Sequence, residues 1–393
     1  MSERRDVVVI GAGVNGVSTA YFLARKGVKR VLLLEREGVA SGATGRSAAL
    51  VRMHYTNPWD ALLALRSWEM FQHWNDLVGG ECGFRTTGFL LLAAHHDREH
   101  LLANIQMLQS IGVNTCYLPP EDVRLAYPYM VTDDLAGAAY EPESGYADGS
   151  DTTHSLLRAA RREGVEVRLG TPALRLLVEK GRITGVETPQ GPIATGTVVV
   201  AAGAWAAPLL ATAGVTLPIT PMRIGAGIVV RPAQVPFHPV VIDRSIGFYF
   251  RPDGVQEARL TLVGVHGREH RTPADPDAFR REPTYEEVEL TIQRLVRRIP
   301  GMADAYWKRT WCGVDGYTPD GHMVLGAVPE VQGLYVAGGS SGTGFKTGPA
   351  VGLCMAEVIV EGRAHTVDIT AFRPTRFAEG QPLVSPHEYR VSA

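Results

Sequence analysis

Three glycines in the pattern Gly11-x-Gly13-x-x-Gly16, followed by a carboxylate at Glu35, are the residues of this chain best suited to hold a phosphate-bridged nucleotide. Each has a separate physical job. Gly11 permits a tight turn, Gly13 lets the backbone approach a pyrophosphate, and Gly16 allows a helix to pack closely on a strand. A helix starting at this turn presents unpaired amides and a partial positive charge to phosphates. Glu35 lies nineteen residues past Gly16. There it accepts hydrogen bonds from a ribose and repels a 2′-phosphate. The pattern does not choose between a flavin and a nicotinamide dinucleotide.

A second dense set, Gly338, Gly339, Gly342 and Gly344, lies between the apolar run Leu334–Ala337 and the pair Lys346 and Pro349. Glycine at this density lets a chain pass close to a flat ring. A helix opened by Pro349, together with Lys346, would stabilise negative charge on that ring. Arg52 stands among mostly apolar residues in Arg46-Ser-Ala-Ala-Leu-Val-Arg52-Met-His-Tyr55, so its charge needs a partner. Tyr249 and His266 lie in strand-like runs, where ordinary hydrogen-bonded packing is an equal explanation. Cys82, Cys116, Cys312 and Cys354 are far apart and make no CxxC pair. A disulfide scaffold and a metal site are therefore not expected, and a reducing, cytoplasmic setting is.

The elements that must position these groups follow from pattern and length. A chain of 393 residues exceeds the usual size of one core. A formal charge of -2 offers no global attraction to nucleic acid or an anionic membrane. The apolar run Val7–Ile10 is too short for a signal peptide. Residues 191–222 carry no charge but are broken by glycines and by Pro208, Pro218 and Pro221, so a buried strand and helix are expected there, not a membrane span. An alternating start (strand 6–10, helix 16–25, strand 30–34) gives way after Gly88 to β-rich stretches. Helix–strand pieces return near 152–201, and a final strand, glycine loop and helix fill 334–360. The expected fold is α/β plus α+β, a Rossmann-like domain with a mostly parallel sheet interleaved with a β-rich substrate domain. Residues 1–87, 145–220 and 309–378 are assigned to the first, 88–144 and 221–308 to the second, and 379–393 to a C-terminal tail.

Thr197–Ala206, Thr318–Gly326 and Leu334–Lys346, taken with the N-terminal unit, resemble the FAD-dependent amine and amino-acid oxidoreductases of the D-amino-acid oxidase type. Within that family the chain is most similar to the sarcosine oxidases, both the monomeric enzyme and the β subunit of the heterotetrameric one. The resemblance runs from about Asp6 to Phe377, and its most specific part is Gly344-Phe345-Lys346. It implies FAD held by Gly11, Gly13, Val14, Asn15, Gly16, Glu35, Arg36, Ser41, Thr44, Arg46, Ser47, Ala48, Ala202, Gly203, Trp205, Gly313, Gly339, Ser341, Gly342, Thr343, Gly344, Phe345 and Lys346. The cofactor is expected to be non-covalent, with attachment through Cys312 the alternative, although a gap-free match puts Gly313 at the tether position. His54, also near this segment, is expected to be structural.

The implied reaction is hydride transfer from a small secondary amino acid to flavin N5, giving an imine that water hydrolyses. Sarcosine and oxygen would give glycine, formaldehyde and hydrogen peroxide. Arg52 and Lys346 would bind the carboxylate, with Tyr249 and His266 over the flavin. One departure leaves the electron acceptor open. The family's oxygen-activating lysine has no counterpart, because no lysine lies between Lys180 and Lys308, and the matching stretch reads Leu260-Thr261-Leu262. Arg259, Arg268 or water would substitute, or the acceptor is not oxygen. Proline-like, opine or D-amino-acid substrates are alternatives on the same frame, as is a flavin subunit of a larger complex. A nicotinamide reductase is disfavoured by the lack of a second GxGxxG. The expected state is a monomer or small homo-oligomer.

Overall fold

A computed structural model describes residues 3–262 and 273–389. His266 and Arg268 lie outside the described residues. The apolar runs Val7–Ile10, Val31–Leu34 and Val198–Val200 have no exposed face, as strands of a covered parallel sheet should. They sit in a six-stranded sheet ordered Glu166–Arg168, Val31–Leu34, Val7–Ile10, Val198–Val200, Leu334–Gly338, Val324–Ala327. Every pairing is parallel except the last. Side chains alternate between two cores. Val7, Val9, Leu33 and Val199 face the helices, whereas Val8, Leu32, Val198 and Val336 face a small four-stranded sheet carrying Leu176, Val186 and Ile193.

On the helical side, Val14–Arg25 packs against Gly149–Arg162 and Gly344–Glu361, and the last also meets Pro58–Gln72. Contact between the first and last helices is close enough to need glycine. A Cβ on Gly352 would stand 2.2 Å from Ser18 Oγ. Ser18 Oγ also donates to the Pro349 carbonyl at 3.2 Å. The helix starting at Pro58 has the expected opening, with Asn57 as N-cap accepting from the Asp60 amide at 2.9 Å.

The β-rich stretches form an eight-stranded sheet ordered Tyr306–Tyr317, Thr220–Val230, Glu257–Thr261, Phe248–Asp253, Val240–Asp243, Phe89–Ala94, Leu135–Glu141, Cys116–Leu118. Val240–Asp243 and Phe89–Ala94 pair in parallel, and the other neighbours are antiparallel. Leu90, Val229, Val241, Phe250 and Leu260 pack with Leu295 of the helix Tyr285–Arg298. That helix starts with a full capping box between Thr284 and Glu287.

Two expectations need correction. Pro349 does not open the last helix. The helix begins at Gly344, so Lys346 lies in its first turn and Pro349 lies inside it. The division at 308/309 cuts one continuous strand, Tyr306–Tyr317, which pairs along its length with Thr220–Val230. The segment assigned to the C-terminal tail is anchored as far as it is described, to residue 389. Asp320 accepts from Leu383 N at 3.0 Å, and Tyr389 is buried.

Candidate active site

The carboxyl ends of the parallel strands open into a cavity of about 390 Å³ that continues along the eight-stranded sheet. Such crevices are where open α/β sheets bind ligands. Of the residues expected to hold the dinucleotide, Gly11, Gly13, Val14, Asn15, Glu35, Arg36, Ser41, Thr44, Arg46, Ser47, Ala202, Gly203, Trp205, Gly313, Gly342, Gly344 and Phe345 line it, as does Tyr249. The three glycines of the first turn take the separate tasks their spacing suggests. Gly11 has φ +109, and a Cβ on Gly16 would overlap the Gly11 carbonyl at 1.9 Å. A Cβ on Gly13 would meet only Thr44 Oγ1, at 3.2 Å, so this backbone is open to a ligand. Gly13 caps the first helix without a side-chain hydrogen bond, and Val14 N donates to Thr44 Oγ1 at 3.2 Å.

Glu35 is set in place by its own backbone surroundings. The amides of Ala12 and Glu37 each donate to its carboxylate at 2.8 Å. Beside it, the Arg36 guanidinium lies 4.9 Å from the Trp205 ring and 2.7 Å from Asp277, which also accepts from Trp205 Nε1 at 2.9 Å. Those two donors hold the Asp277 carboxyl below its usual range. A pyrophosphate turn, a ribose-directed carboxylate and a long crevice fit an extended adenine dinucleotide.

Other expected residues lie outside the lining. Gly16, Ala48, Gly339, Ser341 and Thr343 are among them. Gly339 is at φ +62, with a virtual Cβ 2.7 Å from Thr318, so its role is packing rather than approach to a ring. Arg52 and Lys346 are also outside the lining, but they come together beside it. Both approach the ring of Tyr55. The Arg52 guanidinium is 4.6 Å from its ring centroid, and Lys346 Nζ is 5.9 Å from the same centroid. Phe89 lies 5.7 Å from Arg52, whose NH1 donates to the His54 carbonyl. Lys346 is buried, and Nζ has a long hydrogen bond of 3.4 Å to the Gly342 carbonyl. Burial, and then the Arg52 charge, push its pKa well below the lysine value, opposed by Asp60 and Asp315. Arg52 Nε, Tyr55 Oη and Glu141 Oε1 are buried in this neighbourhood without a hydrogen-bond partner. Tyr249, on the cavity wall, has its phenol pushed up to about 12 by burial, opposed by Arg251, Arg259 and Arg52.

The model of the FAD dependent oxidoreductase family matches residues 6–358. The chain belongs to that family. FAD is therefore the cofactor of this oxidoreductase, and the crevice is where the chain's own glycines and Glu35 fit it. Human mitochondrial sarcosine dehydrogenase is 30% identical over 93% of the chain, which spans 41% of that relative's length. The sarcosine oxidase subunit beta of Arthrobacter sp is 28% identical over 97% of the chain and 93% of its own. Among solved structures, L-proline dehydrogenase from P. horikoshii superposes with a TM-score of 0.89 at 28% identity, covering 98% of this chain and 100% of the other. Glycine oxidase from Geobacillus kaustophilus gives 0.82 at 26% identity, covering 95% and 99%. Among the described residues, no helix of this oxidoreductase is long and apolar enough to cross a membrane.

Cys312 does not face the FAD crevice. It sits on the opposite side of its strand from Gly313, among Leu262, Phe279 and Trp307, and receives a hydrogen bond from Arg223 NH2 at 3.0 Å. Burial pushes its thiol up to about 11, which disfavours the thiolate needed for a thioether. Arg259 is engaged too, donating to Asp253 and to the Ser47 carbonyl. His54 is buried and hydrogen-bonded to Tyr389 at 2.7 Å.

The crevice also uses residues that were not anticipated. Trp311, Asp315 and Tyr317 share the lining with Gly313. Their spacing of two on a strand was a usable signal once Gly313 was in view. Thr171 and Leu174 follow the end of Glu166–Arg168, where the carboxyl-end rule points. Asp277 and Phe279 carry no local signal.

Proposed function

We propose that this enzyme oxidises the carbon–nitrogen bond of a small secondary amino acid such as sarcosine, with Arg52 and Lys346 holding the carboxylate. The observation that carries the reading is the meeting of two cations at one buried ring, Tyr55. Two like charges in a low-dielectric site destabilise each other, and an anion between them relieves that cost. Bound flavin supplies the acceptor for the hydride leaving the substrate carbon. The chain's part is to fix the carboxylate, exclude water behind Tyr55 and Phe89, and hold a proton at Tyr249. A phenol with its pKa near 12 donates a hydrogen bond at neutral pH and does not act as a base. His266 is retained as a candidate on resemblance alone. Similarity to sarcosine dehydrogenase and to the sarcosine oxidase β subunit supports a secondary amine. We also take the two large sheets to mark two interleaved units, a FAD-binding one and a substrate-binding one.

L-proline, itself a secondary amino acid, is the second reading, favoured by the 0.89 TM-score to L-proline dehydrogenase. Anaerobic titration of the FAD-loaded protein with sarcosine, L-proline, glycine and D-alanine separates the two. The substrate bleaches the visible flavin band at the lowest concentration, and readmitted air restores the colour only if oxygen is the acceptor. A panel that leaves the band untouched would reject the amino-acid reading.

A further inference from the structure

The described end of the chain is tied to the candidate substrate site at successive points. Arg376 and Asp320, both buried, form a two-pronged pair at 2.8 and 3.0 Å, and the Asp320 carboxylate also accepts from Leu383 N. Farther along, Asn57 Nδ2 donates to Ser385 Oγ at 3.5 Å, and Asn104 Nδ2 donates to the His387 carbonyl at 2.8 Å. Tyr389 then turns inward. Its ring packs with Leu50, Phe89 and Tyr146, and Tyr249 borders the same cluster. Its hydroxyl meets His54 Nε2 at 2.7 Å, with the two rings stacked at 5.9 Å.

His54 is the link to the cation pair. Its carbonyl accepts from Arg52 NH1, and Phe89 touches both sides of this arrangement, packing with Tyr389 and lying under the Arg52 guanidinium. Burial, reinforced by Arg52 and Arg244, pushes the His54 pKa down to about 3, so the imidazole is neutral and adds no third charge. Buried, unpartnered polar atoms of this region include Arg52 Nε, His54 Nδ1, Tyr55 Oη, Asp60 Oδ1, Asn104 Oδ1 and Glu141 Oε1. Buried polar atoms are normally satisfied, so a group of orphans around one arginine marks a place where a polar ligand sits.

We infer that Tyr389 is a positioning residue for substrate: through its hydrogen bond to His54 it holds the backbone that orients Arg52, so the C-terminal segment completes the carboxylate site. This rests on the reading that Arg52 binds the carboxylate. The hydroxyl acts at one remove and touches neither substrate nor flavin. Removing it loosens Arg52 without emptying the FAD crevice, because none of Tyr389, His54 and Arg52 lines that crevice.

The test uses the full-length FAD-loaded protein with Tyr389→Phe, Tyr389→Ala and Arg52→Ala. Binding is read from the visible flavin spectrum during titration with acetate, a bare carboxylate, and with acetamide, its neutral analogue. Tyr389→Phe keeps the ring, so FAD content should hold and the melting temperature should fall by no more than about a few degrees, while acetate affinity falls about ten-fold, the scale of one buried hydrogen bond. Acetamide affinity should not change. Tyr389→Phe added to Arg52→Ala should cost nothing further, since the two act on one interaction. If Arg52→Ala weakens acetate binding and both Tyr389 variants leave it at the wild-type value, the inference fails while the carboxylate reading stands. If Arg52→Ala itself leaves acetate binding unchanged, the carboxylate reading is the one that fails. Should Tyr389→Ala prove unstable, Tyr389→Phe decides alone, and an equal loss of acetate and acetamide affinity would assign Tyr389 a merely structural role.

Discussion

The nucleotide turn and the cation pair lie in the same molecule but are built in opposite ways. At the turn, Gly11, Gly13, Gly16 and Glu35 come from one strand–helix–strand unit, and main-chain geometry does most of the work. Ala12 N and Glu37 N hold the carboxylate, and Gly16 clears the Gly11 carbonyl. Around Tyr55, by contrast, Arg52 and Lys346 come from distant parts of the chain, and their environment is set by Phe89, Glu141 and Tyr389 from three further segments. Backbone-made sites tolerate little change in residue type but are specified locally. Side-chain-made sites depend on packing across the whole fold, and that is where specificity can drift while cofactor binding persists.

The largest expected effect tests the first half of that contrast. Gly16→Ala drives a Cβ into the Gly11 carbonyl, so the purified protein should be nearly colourless and melt several degrees lower. A yellow, stable variant would show that the turn has slack the geometry denies. Next comes Arg52→Ala, which should leave FAD bound and weaken substrate binding by about 2 kcal/mol or more, as expected when one partner of a buried charge pair is removed. Steady-state KM with the substrate found in the panel checks it, and loss of FAD instead would erase the distinction between the two regions.

A pH effect of intermediate size belongs to Lys346. Its pKa is lowered in the folded chain by burial and by Arg52, and a bound carboxylate must raise it again. Binding therefore takes up a proton above the lowered pKa, so carboxylate affinity is greatest below it. Affinity falls by up to about ten-fold per pH unit as pH rises toward the liganded value. Lys346→Met should flatten this dependence, measured by acetate titration between pH 6 and 10. Stability runs the opposite way, since the unfolded lysine binds its proton more tightly than the folded one and stability therefore rises with pH. Lysine burial costs less as pH rises through this window.

The smallest effect concerns Cys312. Acid precipitation should release FAD into the supernatant from the wild type and from Cys312→Ser alike, because the thiol lies on the side of the strand away from the crevice. Flavin retained in the wild-type pellet alone would overturn that placement.

Pattern and spacing were enough for the parts of the molecule whose physics is local. The triple glycine, the Asn57-Pro58 helix start and the fully apolar strands Val7–Ile10 and Val198–Val200 state their roles through backbone freedom, capping and burial. Local pattern misled at Pro349. Proline favours a first helical position, yet here the helix was already under way at Gly344, packed on the first helix through Gly348 and Gly352. Tertiary structure alone decided which of the scattered polar residues meet. It put Asp277 against Arg36 and Trp205, turned Cys312 away from the FAD crevice, and laid Tyr389 on His54. Contacts between residues dozens to hundreds of positions apart leave no period or motif in one sequence. They are set by the packing of whole sheets and helices, which no local window contains.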